Sequence, residues 1–162
     1  MKLTKIFLVI IALCALSCSK SESPGPNADN NGINWTESGS LVGQWSLTSY
    51  GNTVQPQIYI EFCEDGTFNL YQRFTSIEWV NYKGSYTIQN NILTGKYSDD
   101  TPLSNYKVSY GKKGDLKYLM LKSDKDEAYV QVYEECEIPD YIIEEAKSST
   151  KAVRSTDFAP LL

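Results

Sequence analysis

The chain has 162 residues, 41% of them hydrophobic, and a formal charge of −5. That length supports one ordinary domain with appendages. There is no histidine, which excludes His-based triads, His general bases and His-ligated zinc or haem; 15 basic against 20 acidic residues, with no Lys/Arg block, argue against a nucleic-acid footprint.

Residues 1–17 are expected to be a signal peptide. Lys2 and Lys5 precede an apolar run from Ile6 to Leu16, followed by Ser17 and Cys18. This is the order of a secretory signal. The run is too short for a spanning helix, which needs about 20 residues. The segment Ala15-Leu16-Ser17-Cys18 resembles a bacterial lipoprotein processing site. That resemblance implies cleavage before Cys18 and lipid attachment to its sulfur. An ordinary secretory signal with an incidental cysteine is the alternative. Without Lys2 and Lys5 the formal charge falls to −7, so acyl chains rather than protein charge would hold the protein at anionic lipid. The expected location is the cell envelope, at the outer rather than the inner membrane.

Residues 18–40 read as a flexible tether. Ser, Pro, Gly, Asn and Asp dominate, and apolar residues are almost absent until Ile33 and Trp35. Such a stretch buries too little surface to offset its ordering entropy. A coil of this length spans about 25 Å.

The folded domain is expected over 41–147. Eight strands are predicted, at 41–50, 57–63, 67–74, 79–88, 92–97, 105–111, 116–122 and 128–135. Asp65-Gly66 and Asn90-Asn91 tolerate positive φ and suit tight hairpins. Regular spacing without helical interruption indicates an antiparallel meander. Alternation places Leu41, Gly43, Trp45 and Leu47 on one face, then Ile58, Ile60 and Phe62, then Phe68, Leu70 and Phe74, then Val80, Tyr82, Tyr86 and Ile88. One dry and one wet face suit a sheet that curls around its own core. Eight strands can close into a barrel and so remove exposed edges.

In the last two strands, Leu119, Leu121, Val130 and Val132 are expected to face in, with Tyr118, Met120, Tyr129 and Tyr133 outside. A helix at 138–147 follows Pro139, with Ile138, Tyr141, Ile142 and Ala146 on one stripe. It is predicted to cover those two strands from outside. Residues 148–162 read as a disordered tail.

Leu41-Val42-Gly43-Gln44-Trp45 is followed by Ile60-Glu61-Phe62, Asp65-Gly66-Thr67-Phe68, Gly84-Ser85-Tyr86 and Asn91-Ile92-Leu93-Thr94. This ordered set, over about 41–135, resembles the small lipocalin-like domain lipoproteins of the Bacteroidetes type. The resemblance implies an all-β, eight-stranded antiparallel up-and-down (lipocalin-like) barrel with one short C-terminal helix and a ligand-sized interior at one end. The inward aromatics leave a filled core as an equal alternative.

Chemistry-bearing residues are sparse. Cys63 and Cys136 are a candidate disulfide in an exported protein, although a strand between them would hold them about 9.6 Å apart. Glu61, Glu64, Asp65 and Glu78 fall on outward or turn positions and suit a solvated surface better than an acid–base pair. Asp124-Lys125-Asp126-Glu127 lacks the glycine and distal glutamate of a calcium loop. No metal and no cofactor is expected.

The aromatics carry the functional expectation. Trp45, Phe68, Tyr82, Tyr86, Tyr106 and Tyr110 are the candidate interior ligand-binding residues; tyrosine hydroxyls there would orient a ligand in an apolar pocket. The leading reading is a non-enzymatic, lipid-anchored protein whose partners are the membrane, through Cys18, and a small apolar or amphipathic molecule. The alternative is an interaction module with a filled barrel, contacting an envelope protein or a glycan through outer aromatics Tyr59, Tyr71 and Trp79.

Overall fold

The computed structural model describes residues 32–50, 57–73, 78–126, 129–149 and 162. The signal segment 1–17, Cys18 and the tether up to residue 31 lie outside the described residues.

Ten strands and one helix follow in chain order. They are β1 (Asn34–Thr36), β2 (Gly43–Tyr50), β3 (Gln57–Phe62), β4 (Thr67–Arg73), β5 (Val80–Gln89), β6 (Ile92–Tyr97), β7 (Tyr106–Lys113), β8 (Leu116–Ser123), β9 (Val130–Glu135), α1 (Asp140–Glu145) and β10 (Lys147–Ser149). Strands β2 to β9 pair antiparallel with their chain neighbours, and β9 returns to pair with β2. The result is a closed eight-stranded up-and-down barrel, which leaves its eight strands no free edge.

The two ends of the barrel differ in their connections. At one end the links are 63–66, 90–91 and 114–115; at the other they are 51–56, 74–79, 98–105 and 124–129. The short links carry the turn chemistry. Asn90 and Asn91 both have positive φ, at 51° and 59°, as a two-residue hairpin turn requires. Asp65 accepts from the Thr67 hydroxyl at 2.6 Å and from its N–H at 2.9 Å, fixing the 63–66 turn. We call the short-link end the floor and the long-link end the mouth.

The floor is sealed by the chain that precedes β2. β1 pairs antiparallel with β7, and Ile33 and the Trp35 ring lie where a Cβ on Gly111 would be. Gly39 then lies flat on the Tyr110 ring: a Cβ there would come within 2.3 Å of the ring's Cγ. Leu41 is buried, and its carbonyl accepts the Trp45 indole N–H at 2.9 Å. The tether expected over 18–40 is therefore ordered from residue 32 onward. Two apolar residues, one paired strand and one close-packed glycine suffice to dock it.

The last strand has the opposite phase to the one expected. Tyr133 and Gln131 are fully buried, and Tyr133 belongs to the interior cluster; Val130 and Val132 are half-buried on the outer face. Register explains this. Tyr133 lies between Leu47 of β2 and Leu119 of β8, both inward-facing, and cross-strand partners share a face. The polar cost of the inversion is met locally, because the Tyr133 hydroxyl donates to Gln131 Oε1 at 2.8 Å.

The helix docks, but elsewhere than expected. Ile138 and Ile142 pack with Tyr71 and Trp79, with Tyr59, Cys136 and Ala146 beside them. That cluster covers the outside of β3 and β4, not of β8 and β9. With Tyr133 turned inward, the aromatic patch that needs cover is Tyr59, Tyr71 and Trp79. The route is set by Gln44. Its carbonyl accepts from the Cys136 N–H at 2.9 Å, and its side-chain Oε1 accepts from the Ile138 N–H at 2.8 Å. The chain thus crosses β2 toward β3. Tyr141, assigned to the buried stripe, is 52% exposed; a helix of six residues covers only a narrow strip. Beyond it, β10 pairs parallel with Val80–Tyr82 of β5, and Leu162 is buried in the barrel core. The expected disordered tail at 148–162 therefore has structure at both ends.

Candidate functional site: the barrel interior

Alternation of side chains along the strands delivers a single interior cluster. Trp45, Phe68, Tyr82, Tyr106 and Tyr110 are all buried in it, and Tyr86 packs against it partly exposed. The structure thus brings together the six rings singled out from sequence. It adds Phe62, Tyr97, Leu103, Tyr133 and Leu162 to the same cluster.

The rings form a contact chain from floor to mouth. Tyr86 meets Phe62 edge-on at 5.0 Å, Phe62 meets Phe68 at 6.4 Å, Phe68 meets Tyr97 edge-on at 5.7 Å, and Tyr97 meets Tyr82 edge-on at 6.2 Å. These are favourable aromatic geometries. The lower barrel is therefore a packed core. Trp45 seals it, and the Tyr86 hydroxyl is tied to the Cys63 carbonyl at 2.8 Å.

The mouth half is chemically different. Tyr97 ends β6 and Tyr106 begins β7, on either side of the 98–105 link, while Tyr82 stands near the start of β5. Burial raises all three phenols above their ordinary value of 10.0. Tyr133 is raised well above it for the same reason. These groups stay neutral at physiological pH and act as hydroxyl donors and acceptors, not as bases. The Tyr97 hydroxyl donates to the Leu162 carbonyl at 2.9 Å and lies 3.2 Å from the Leu162 N–H, which donates to it. Tyr106 bonds to the Ser104 side chain.

Tyr97 and Tyr133 escaped the sequence reading for separate reasons. Tyr97 sits alone at the end of a strand, after Lys96. Tyr133 lost to the neighbouring valines. For Tyr97, the readable signal is its position two residues from Gly95, on the same strand face as the inward-pointing Leu93. Leu162 ends an apolar stretch, Phe158 to Leu162, that is apt to dock but whose place nothing local fixes.

Two other candidates resolve differently. Cys63 and Cys136 are free thiols, each half-buried. Residue 136 bonds to Gln44 on one side of β2, while β3, which Cys63 follows, pairs with β2 on the other; β2 stands between them, so no bridge forms. Two of the three outer aromatics offered as a partner surface, Tyr71 and Trp79, are covered, and Tyr59 is half-buried beside them. Trp79 is 2% and Tyr71 is 4% exposed beneath α1, with the Arg73 guanidinium 4.7 Å above the Trp79 ring. Their exposure to a partner was an expectation that the helix overturns. Glu61 is an outer ladder residue, accepting from Gln44 at 3.1 Å and from Asn69 at 2.9 Å.

Residues 41–118 match the family model of the Lipocalin-like domain. The match runs from the floor residue Leu41 through β7 into the start of β8. No curated protein matches the chain.

Proposed function

We propose that this protein is a non-enzymatic, lipid-anchored envelope protein that holds a small amphipathic molecule in the mouth half of its barrel. The lipocalin-like barrel is a ligand-binding fold, and the family resemblance supports that reading. One observation carries it. Tyr82, Tyr97, Tyr106 and Tyr133 bring phenol groups into one buried apolar cluster, and the Tyr97 hydroxyl there is bonded to Leu162, a residue from outside the barrel strands. Apolar walls with a few oriented polar groups are what a small-molecule site needs.

Anchoring rests on Cys18 and the signal-like segment before it, at the outer membrane of a Bacteroidetes-type envelope. Replacement Cys18→Ala is expected to release the protein from membranes. Retention with lipid still attached would overturn the anchor.

The binding role is tested by native mass spectrometry on the full mature protein, extracted gently from its host. We expect a reproducible extra mass that disappears on denaturation. A bare polypeptide mass, with no uptake of apolar probes, would overturn it.

A further inference from the structure

Among the described residues, Leu162 is the one member of the interior cluster that does not come from the barrel or from the chain that seals its floor. It is 6% exposed, inside the same cluster as Phe68, Tyr82 and Tyr97. Its backbone N–H and C=O both meet one side chain, since the oxygen accepts from the Tyr97 hydroxyl and the N–H donates to it. Sixty-five residues separate the two partners.

Nothing in barrel closure calls for this contact. Tyr97 is already in register opposite Gly84 on β5, and its N–H is bonded to the Thr101 carbonyl at 2.8 Å. The hydroxyl, however, is buried deeply enough to raise its pKa far above the ordinary value. A buried hydroxyl needs a partner, and one hydroxyl can serve a donor and an acceptor at once. The site around it is therefore matched to an apolar branched group flanked by an N–H and a C=O.

We propose that Leu162 is a built-in occupant of the ligand site, and that the site's external ligands are acylated amino acids or short peptides bearing a branched aliphatic side chain. This rests on the binding role proposed above. Leu162 occupies the position such a ligand takes and competes with it. β10 starts beside the mouth end of β5, because Lys147–Ser149 lie parallel against Val80–Tyr82. Only residues 150–161 separate Ser149 from Leu162. Straight-chain fatty acids fare worse, since they offer the Tyr97 hydroxyl an acceptor but no N–H donor and no branched side chain.

The test is calorimetric titration of the full mature chain with two probes, N-acetyl-leucinamide and lauric acid. The native chain is compared with Leu162→Ser and Leu162→Ala. If the site is self-occupied nine-tenths of the time, removing the occupant tightens N-acetyl-leucinamide about tenfold. We expect that gain in Leu162→Ser, a smaller gain in Leu162→Ala, and loss of the gain when Tyr97→Phe is added. Equal affinity in the native and Leu162→Ser chains overturns self-occupancy and leaves the binding role standing. Tighter lauric acid than N-acetyl-leucinamide in Leu162→Ser overturns the ligand class. A Leu162→Ser chain that melts without cooperativity makes Leu162 structural and overturns the proposal. Absence of binding by either probe to any of the folded chains overturns the binding role and this inference with it.

Discussion

The floor and the mouth of this barrel are made by the same eight strands, yet the mouth holds one polar group whose partner comes from outside the barrel. At the floor, partners are local and fixed. The Trp45 indole meets a carbonyl four residues away, and the Tyr86 hydroxyl meets the carbonyl at the foot of the neighbouring hairpin. Gly39 lies flat on Tyr110, which leaves no room for a side chain. At the mouth, Tyr106 and Tyr133 also bond to near neighbours, Ser104 and Gln131, but the Tyr97 hydroxyl depends on Leu162, a residue brought in from outside the barrel. A group bonded to its own neighbours gains nothing from a ligand. A group bonded to an imported residue can exchange it.

Mutations sharpen this contrast. The largest effect belongs to the floor: Trp45→Ala is expected to cost about 3–5 kcal/mol, through lost burial and a cavity that packed neighbours cannot fill. Chemical denaturation measures it, and a loss below about 1 kcal/mol would mean the indole does not seal the floor. Next comes Ile142→Ala, at about 2–4 kcal/mol, because Ile142 is fully buried on Tyr71 and Trp79. That change also exposes Trp79, so a red shift in tryptophan emission should accompany it. An unchanged melt would mean the helix contributes no stability from its dock.

At the mouth the expected cost is smaller. Tyr97→Phe keeps the ring contacts with Phe68 and Tyr82 and removes only the hydroxyl. It leaves the Leu162 backbone N–H and C=O without that partner, at about 1–2 kcal/mol. The same hydroxyl gives the mouth an alkaline weakness. Burial holds the Tyr97 and Tyr133 phenols above their ordinary 10.0 in the folded state. Their contribution is complete below that ordinary value and is lost as pH rises above it, since the unfolded chain then releases protons first. Absorbance titration near 295 nm should show a late-ionising group of tyrosines that appears together with unfolding. If every tyrosine ionised before unfolding, the mouth would be wetter than described.

How much of this was legible in the sequence follows from the range of each signal. Strand bounds fell within two residues of those observed, because alternation and turn residues are local. Trp45, Phe68, Tyr82, Tyr106 and Tyr110 could be placed inside for the same reason. β1 and β10 were missed because three residues are too few for a period, and both pair with strands distant in sequence. The phase of β9 was misread because Val130 and Val132 are the more apolar pair. Only the register with Leu47 and Leu119 shows that Tyr133 and Gln131 face in. The helix position failed with it, since the patch it was meant to cover had turned inward. Leu162 ends an apolar stretch that is apt to dock, but its place is not readable locally, because its partner Tyr97 lies across the fold.

The smallest predicted effect isolates a floor turn from everything inside the barrel. Asp65 is fully exposed, and its pKa lies below the ordinary 3.8, first because the Thr67 side chain donates to it and then because the Thr67 N–H does. A carboxylate depressed on folding stabilises the native state above its ordinary pKa, and that stability drains away as pH falls through the lowered folded value. Asp65→Asn should therefore melt slightly lower than the native chain at neutral pH. The two midpoints should converge as acid protonates Asp65 in both the folded and unfolded states. The mouth should not respond, because its phenols are neutral throughout that range. A difference that persisted unchanged into strong acid would locate the effect in the amide's own fit to the turn rather than in the charge. Loss of probe binding at the mouth in this variant would show that the two ends are coupled after all.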